Sequence, residues 1–256
     1  MSEPLLGTME WCQRTGDRMS TTEKIELARY VASLKAEMCF DEMRHRLGLL
    51  RPAAVDLDTL APPDTRLVRD AEAFGLEIYD ESVLTHCLRT YYLGALVAAH
   101  DGIAFDREVF YAAAICHDAG LTAVAGPLSA CCFAHASGRI ARERLGADGH
   151  PDPVVSRIAD AISTHLNLFV PPSQYPAESA LTAMGATCDI LGAYVHRIEP
   201  GTLKKLVERY PRIGFLTALA RAGSGHHPED TRPSVLLAMG AFDRGTQGIE
   251  EVIGVD

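Results

Sequence analysis

Apolar residues recur at helical spacing along most of the chain, and the interruptions are turn-forming residues. The first twenty residues mix Gly, Met, Arg and Thr without periodicity and read as a loose arm. Ser20-Thr21-Thr22-Glu23 supplies N-cap residues for a helix running to about Cys39. Leu47 to Thr65, with Arg51-Pro52 and Ala61-Pro62-Pro63-Asp64, reads as a connector, because paired prolines stop helices. Helices are then expected over 65–76, 82–100, 107–118, 129–145, 151–168, 177–196, 202–209 and 212–221. Breaks fall at Asp101-Gly102, Ala119-Gly120, Gly146–Gly149, Pro171-Pro172 and Pro200-Gly201. Val and Ile are scattered rather than alternating, so little strand is expected. The pattern predicts an all-α bundle with an N-terminal helical extension. Its parts are an arm and helix over 1–60, the main domain over 61–245 and a tail over 246–256.

Composition narrows the functional classes. With 24 Lys+Arg against 34 Asp+Glu the formal charge is −10, which argues against binding a phosphate backbone. At 47% hydrophobic residues the chain has ample material for a core, so disorder is not expected. The seven cysteines are odd in number and contain no C-x-x-C pair, which excludes a disulfide framework and a zinc ribbon. The N-terminus lacks a basic region followed by an apolar run. Apolar stretches such as Tyr91–Ala99 are too short to span a bilayer. These features point to a reduced, soluble, cytoplasmic protein with no membrane or nucleic-acid partner. A homo-oligomer could form through the apolar face Ile25, Leu27, Val31 and Leu34 of the first long helix, unless that face serves the chain's own core.

Ten histidines is a high count, and the positions of a few carry chemistry. His117-Asp118 closes the apolar run Val109–Cys116, and Ala119-Gly120 follows, Gly being the usual left-handed residue beyond a helix end. A buried His beside a buried Asp is costly unless a charge satisfies both. A divalent metal would do so, and so would an internal His–Asp hydrogen bond. His86 precedes this pair, in Thr85-His86-Cys87-Leu88-Arg89-Thr90. Asp189 follows it, inside the apolar run Ala183–Gly192. Gly185 and Gly192 share the helix face of Asp189, which suggests close approach of another group or simply of another helix.

His, His-Asp and Asp on successive helices resemble the HD superfamily of metal-dependent hydrolases. The stretches Ala61–Ala73 and Leu84–Gly94 and the later Arg232–Gly240 look like its cyanamide hydratase-like branch. The resemblance covers about residues 60–242 and implies an HD-domain helical bundle. It makes His86, His117, Asp118 and Asp189 the metal ligands, and Asp118 also the base that orients a metal-activated water. Two imidazoles and two carboxylates suit Zn²⁺ or Fe²⁺, with Mn²⁺ as a further possibility, and not a soft thiolate site.

Three further residues are candidates. Arg89 shares the face of His86 and would either hold an anionic substrate group or neutralise the ligand carboxylates. His165 matches a histidine often found in the family, and the resemblance implies a substrate donor or a ligand to a second metal. His135 lies in Phe133-Ala-His-Ala-Ser-Gly138, where the resembled branch carries acidic residues at the positions of Ala134 and Ala136. It is a new ligand, an acid or base, or an exposed residue. His45, His100, His150, His196, His226 and His227 read as ordinary polar residues, although His196 lies close enough to Gly192 to support the site. The expected function is metal-dependent hydrolysis or hydration of a small molecule. The alternatives are a phosphohydrolase of phosphate esters or nucleotides, an iron-dependent oxygenase using His135 and His165 as extra ligands, and a non-catalytic HD-fold scaffold.

Overall fold

The computed structural model describes residues 3–214 and 228–242, together with Thr217 and Ile249. Ser20 caps the longest helix. Its hydroxyl accepts from the Glu23 backbone N–H, and the Glu23 carboxylate accepts from the Ser20 N–H at 2.7 Å. This reciprocal cap starts a helix that runs on to Arg46, well past Cys39. The labelled helices are α1 (Met9–Thr15), α2 (Thr21–Arg46), α3 (Arg66–Ile78), α4 (Glu81–Asp101), α5 (Arg107–Cys116), α6 (Phe133–Ala147), α7 (Asp152–Thr164), α8 (Ala177–Leu191) and α9 (Pro200–Arg209). A short helix, Arg232–Ala238, follows. Among the described residues the only β-type pairing is an isolated bridge between Ala53 and Ile198, so the fold is all-α.

The N-terminal segment departs from the expectation of a loose arm. Trp11 and Cys12 are buried in the same core as the central helices, and the Met9 N–H donates to Asp160 on α7 at 2.8 Å. Periodicity missed α1 because its single turn pair is too short to show a repeat. Leu27, Val31 and Leu34 of α2 enter the chain's own core, while Ile25 is exposed. The helix expected over 212–221 falls largely outside the described residues, and the tail over 246–256 almost wholly so; His226 and His227 lie outside them as well. Among the described residues no helix is long and apolar enough to cross a membrane.

Helices α4 and α8 cross antiparallel in backbone contact. A Cβ on Gly185 would lie 2.0 Å from the Thr90 carbonyl oxygen, and one on Gly94 would lie 2.7 Å from the Leu181 oxygen. Only hydrogen fits at these crossings. The register follows: one turn before Thr90 is His86, one turn after Gly185 is Asp189, and the two must meet. Gly192 has a different task. Its φ of 67° ends α8 in the left-handed conformation.

Candidate metal centre

His86 is fully buried on α4, and its neighbours decide how its ring is held. Nδ1 lies 2.6 Å from Asp189 Oδ2. Burial pushes the Asp189 carboxyl up, but Arg89, the His86 hydrogen bond and Arg212 outweigh it and hold it well below the usual carboxylate range. Asp189 is therefore an anion, which only accepts, so Nδ1 carries a hydrogen, and in the neutral ring Nε2 is a lone pair.

His117 follows the last residue of α5 and caps it. Its Nδ1 donates to the Ala114 carbonyl at 2.7 Å, which leaves Nε2 bare as well. Gly120 does not supply the left-handed turn expected of it, since its φ is not positive. It supplies room, because a Cβ there would lie 2.2 Å from the Phe133 oxygen. The turn is fixed by the Gly120 N–H donating to Ser137 Oγ at 2.8 Å. This docks the His117-Asp118 corner on the first turn of α6.

Three donor atoms converge at this corner. His86 Nε2 and His117 Nε2 are 3.2 Å apart, and Asp118 Oδ2 lies 3.4 Å from His117 Nε2 and 3.7 Å from His86 Nε2. Two bare nitrogens facing each other repel unless a proton or a metal ion lies between them. Metal–nitrogen bonds of about 2.1 Å place cis ligands roughly 3.0–3.4 Å apart, so the spacing suits one shared ion. The committed Nδ1 hydrogens are the outer support that ligating histidines usually have. His86, His117 and Asp118 thus fit a divalent metal on donor chemistry and on spacing.

Asp189 reaches the same place in a different posture. Oδ2 accepts from His86 Nδ1 and Arg89 Nη2, and Oδ1 accepts from Arg89 Nε and Arg212 Nη1. It stands behind His86, outside the cluster of donor atoms around His117 and Asp118. Arg89 pairs with it two-pronged, both contacts at 2.9 Å, and its Nη1 donates to the Tyr210 and Pro211 carbonyls. Of the two roles weighed for Arg89, neutralising a carboxylate of the site describes the contact it makes. Arg212 is a partner that the sequence did not disclose, since it stands at the start of the helix expected over 212–221, with nothing local to tie it to Asp189.

His165 follows the last residue of α7, with its ring 5.0 Å from that of His117 and 5.8 Å from Phe133. Its Nδ1 donates to the Ile162 carbonyl at 2.5 Å. Burial, then the nearby His117, holds its pKa down to about 3, and burial likewise lowers that of His117. A neutral His165 whose one ring hydrogen is committed presents an acceptor, not the donor expected from the resemblance. His135 is buried rather than exposed, and its Nδ1 is bonded to Asp17 Oδ2 at 2.6 Å. His196 stacks on His45 and stands apart from the centre.

The family model of the HD domain matches residues 83–192. The matched segment runs from α4 to the end of α8 and contains His86, His117, Asp118, His165 and Asp189. The match supports the HD-superfamily resemblance, whose members are of the metal-dependent hydrolase type. It reaches neither the N-terminal segment that carries Asp17 nor Arg212. No curated protein matches the chain.

Proposed function

We propose that this protein is a metal-dependent hydrolase or hydratase acting on a small, uncharged electrophile, as the cyanamide hydratase-like branch does. The observation that carries this reading is the pair of buried histidines, His86 and His117, whose Nε2 lone pairs face each other beside the Asp118 carboxylate. His86, His117 and Asp118 would hold the ion. A bound divalent cation would supply Lewis acidity and lower the pKa of water towards neutrality, roughly to 7 for zinc.

The remaining steps belong to the chain's own groups. Asp189 orients His86 through Nδ1 and is itself steadied by Arg89 and Arg212. The second oxygen of Asp118 is the base that takes a proton from the attacking water. His165 Nε2 accepts a hydrogen bond from an N–H or O–H of the substrate, and the Phe133 ring beside it makes that wall apolar.

Charge favours a neutral substrate over a phosphate ester. Among the described residues, two arginines of the centre, Arg89 and Arg212, pair with the Asp189 carboxylate. The iron-oxygenase reading asks His135 for a ligand beside His165, and the place of His135 with Cys12 and Asp17, apart from the His86–His117–Asp118 group, speaks against it. The test is elemental analysis of fresh protein followed by a panel of cyanamide, phosphomonoesters and nucleotides. Chelator-sensitive hydration of cyanamide or another nitrile-like substrate is expected. Turnover that survives metal removal, or in a His117→Ala variant, would overturn the proposal.

A further inference from the structure

His165 stands on a turn that lies past the end of its helix. After Thr164, the last residue of α7, the chain makes one short turn over His165–Asn167. Leu168 then takes a left-handed φ of 64°, which a residue with a Cβ rarely adopts. Such a conformation persists only where the surroundings impose it. The His165 ring is tied locally, by Nδ1 to the Ile162 carbonyl, but where the ring stands depends on where the turn is held.

Both ends of the chain reach this turn. From the N-terminal side, the Leu6 carbonyl accepts from Asn167 Nδ2 at 2.8 Å and from the Tyr175 hydroxyl at 3.0 Å. From the C-terminal side, Arg232 Nη1 donates to the Ser163 carbonyl at 2.6 Å and to Asn167 Oδ1 at 3.2 Å. One guanidinium nitrogen thus grips the chain two residues before His165 and two residues after it. Gly7 leaves the space for this. Its φ is +81°, and a Cβ there would overlap Arg232 Nη1 and lie 2.8 Å from Asn167 Oδ1. Arg232, Ser163 and Asn167 are fully buried, so no bulk water can take over these bonds.

Core packing alone does not account for an arginine at this place. Among the described residues its acceptors are neutral: the Ser163 carbonyl and hydroxyl, the Asn167 amide, and the Cys12 and Cys132 thiols, which burial keeps protonated. A guanidinium taken out of water without a carboxylate to receive it is costly, and an apolar replacement for a buried charge is often no loss to stability. The direct effect of the charge is to join the two sides of the His165 turn through a planar donor group of fixed geometry. Leu6, Gly7 and Arg232 all lie outside residues 83–192, so this support comes to the HD-domain segment from beyond it.

We propose that Arg232, admitted by Gly7, is a positioning residue that fixes the His165 turn and so holds the His165 ring against His117. The consequence for turnover rests on the substrate contact proposed for His165; the placement of the ring does not.

NMR of the metal-free full chain, isotopically labelled in histidine, reads each ring N–H that an oxygen holds, and His165→Gln identifies the signal of His165. In Arg232→Gln and in Gly7→Ala that signal should shift or vanish by exchange with solvent, while the signals of His86 and His117 stay in place. On whichever substrate is turned over, Arg232→Gln should lower kcat/KM about tenfold, the scale of losing an outer support. Adding His165→Gln should then cost less than it does in wild type, because both changes remove the same contact. A His165 signal unmoved in both Arg232→Gln and Gly7→Ala overturns the proposal. Loss of all three histidine signals together in both variants overturns it too, since that marks a general loosening of the fold. Absence of turnover on every substrate concerns the activity proposed above, and the NMR result still decides the placement.

Discussion

His86 Nε2 and His117 Nε2 face each other across 3.2 Å while each ring commits its Nδ1 hydrogen to an oxygen on its far side. Neither ring can turn away without abandoning that bond. The pair is preorganised for an ion, so ion binding should stabilise the fold. Manganese suits this centre and avoids thiolates. At a hundredfold excess over its dissociation constant it should add about 2.7 kcal/mol to stability. For a chain of this size that raises the melting temperature by roughly 5–10 °C. Calorimetry of metal-free protein with and without Mn²⁺ should show the rise in wild type and none in His117→Ala.

Asp118 and Asp189 should separate when each is replaced by Asn. Asp189→Asn leaves Arg89 and Arg212 facing a neutral amide in a buried setting, which costs about 3–5 kcal/mol. Asp118→Asn removes a ligand and should abolish Mn²⁺ binding while changing the metal-free stability far less. Urea midpoints of the two metal-free variants check this. Equal midpoints would remove the distinction between a ligand and the group behind a ligand.

Metal-free protein should lose stability as pH falls below about 6.5, the ordinary histidine value. His165, held to about 3, and His117, also lowered, bind protons more weakly in the folded chain than in the unfolded one. In that window the unfolded state takes up more protons, so stability drops with pH. The contribution of Asp189 is complete above the carboxylate range near pH 4 and is lost only below it, so it does not shape the slope between pH 6.5 and 4.5. Urea midpoints at pH 7 and pH 5 should differ, and His165→Gln should flatten the difference.

Gly185→Ala should separate α4 from α8, since the new Cβ meets the Thr90 carbonyl oxygen and backbone cannot yield as a side chain does. The expected net loss is about 1–3 kcal/mol, after a helix-propensity gain of about 1 kcal/mol. Metal affinity should fall with it, because His86 moves relative to Asp189. Gly146→Ala is the control. It sits in α6 with no atom within 4 Å of its added Cβ, and should stabilise by about 0.5–1 kcal/mol.

Much of this was legible in the sequence, and the illegible parts share a cause. Helix periodicity gave α3 to α9 to within a few residues, because each carries a continuous apolar face. His86, His117, Asp118 and Asp189 stood out as polar residues in apolar runs, and the structure brings them together. Their division of labour was not legible. Whether a carboxylate faces an ion or stands behind a histidine depends on Arg212, which no local pattern ties to Asp189. The glycine beside Asp189 was rightly suspected at Gly185, whereas Gly192 and Gly120 do jobs that spacing cannot distinguish. Asp17 was hidden because it lies in a segment without periodicity, and its partner His135 is more than a hundred residues away.

The contact between Gly185 and Thr90 also divides the centre mechanically. His86 and Asp189 ride on two helices whose separation is set by backbone against backbone, so their half behaves as a fixed jaw. His117 and Asp118 stand just past the end of α5, where the chain passes into a single short 3-10 turn rather than a long helix, and make the adjustable jaw. Differences in ionic radius between zinc, iron and manganese should then be absorbed at the corner that begins with His117. The His86–Asp189 spacing should stay constant whichever ion is bound.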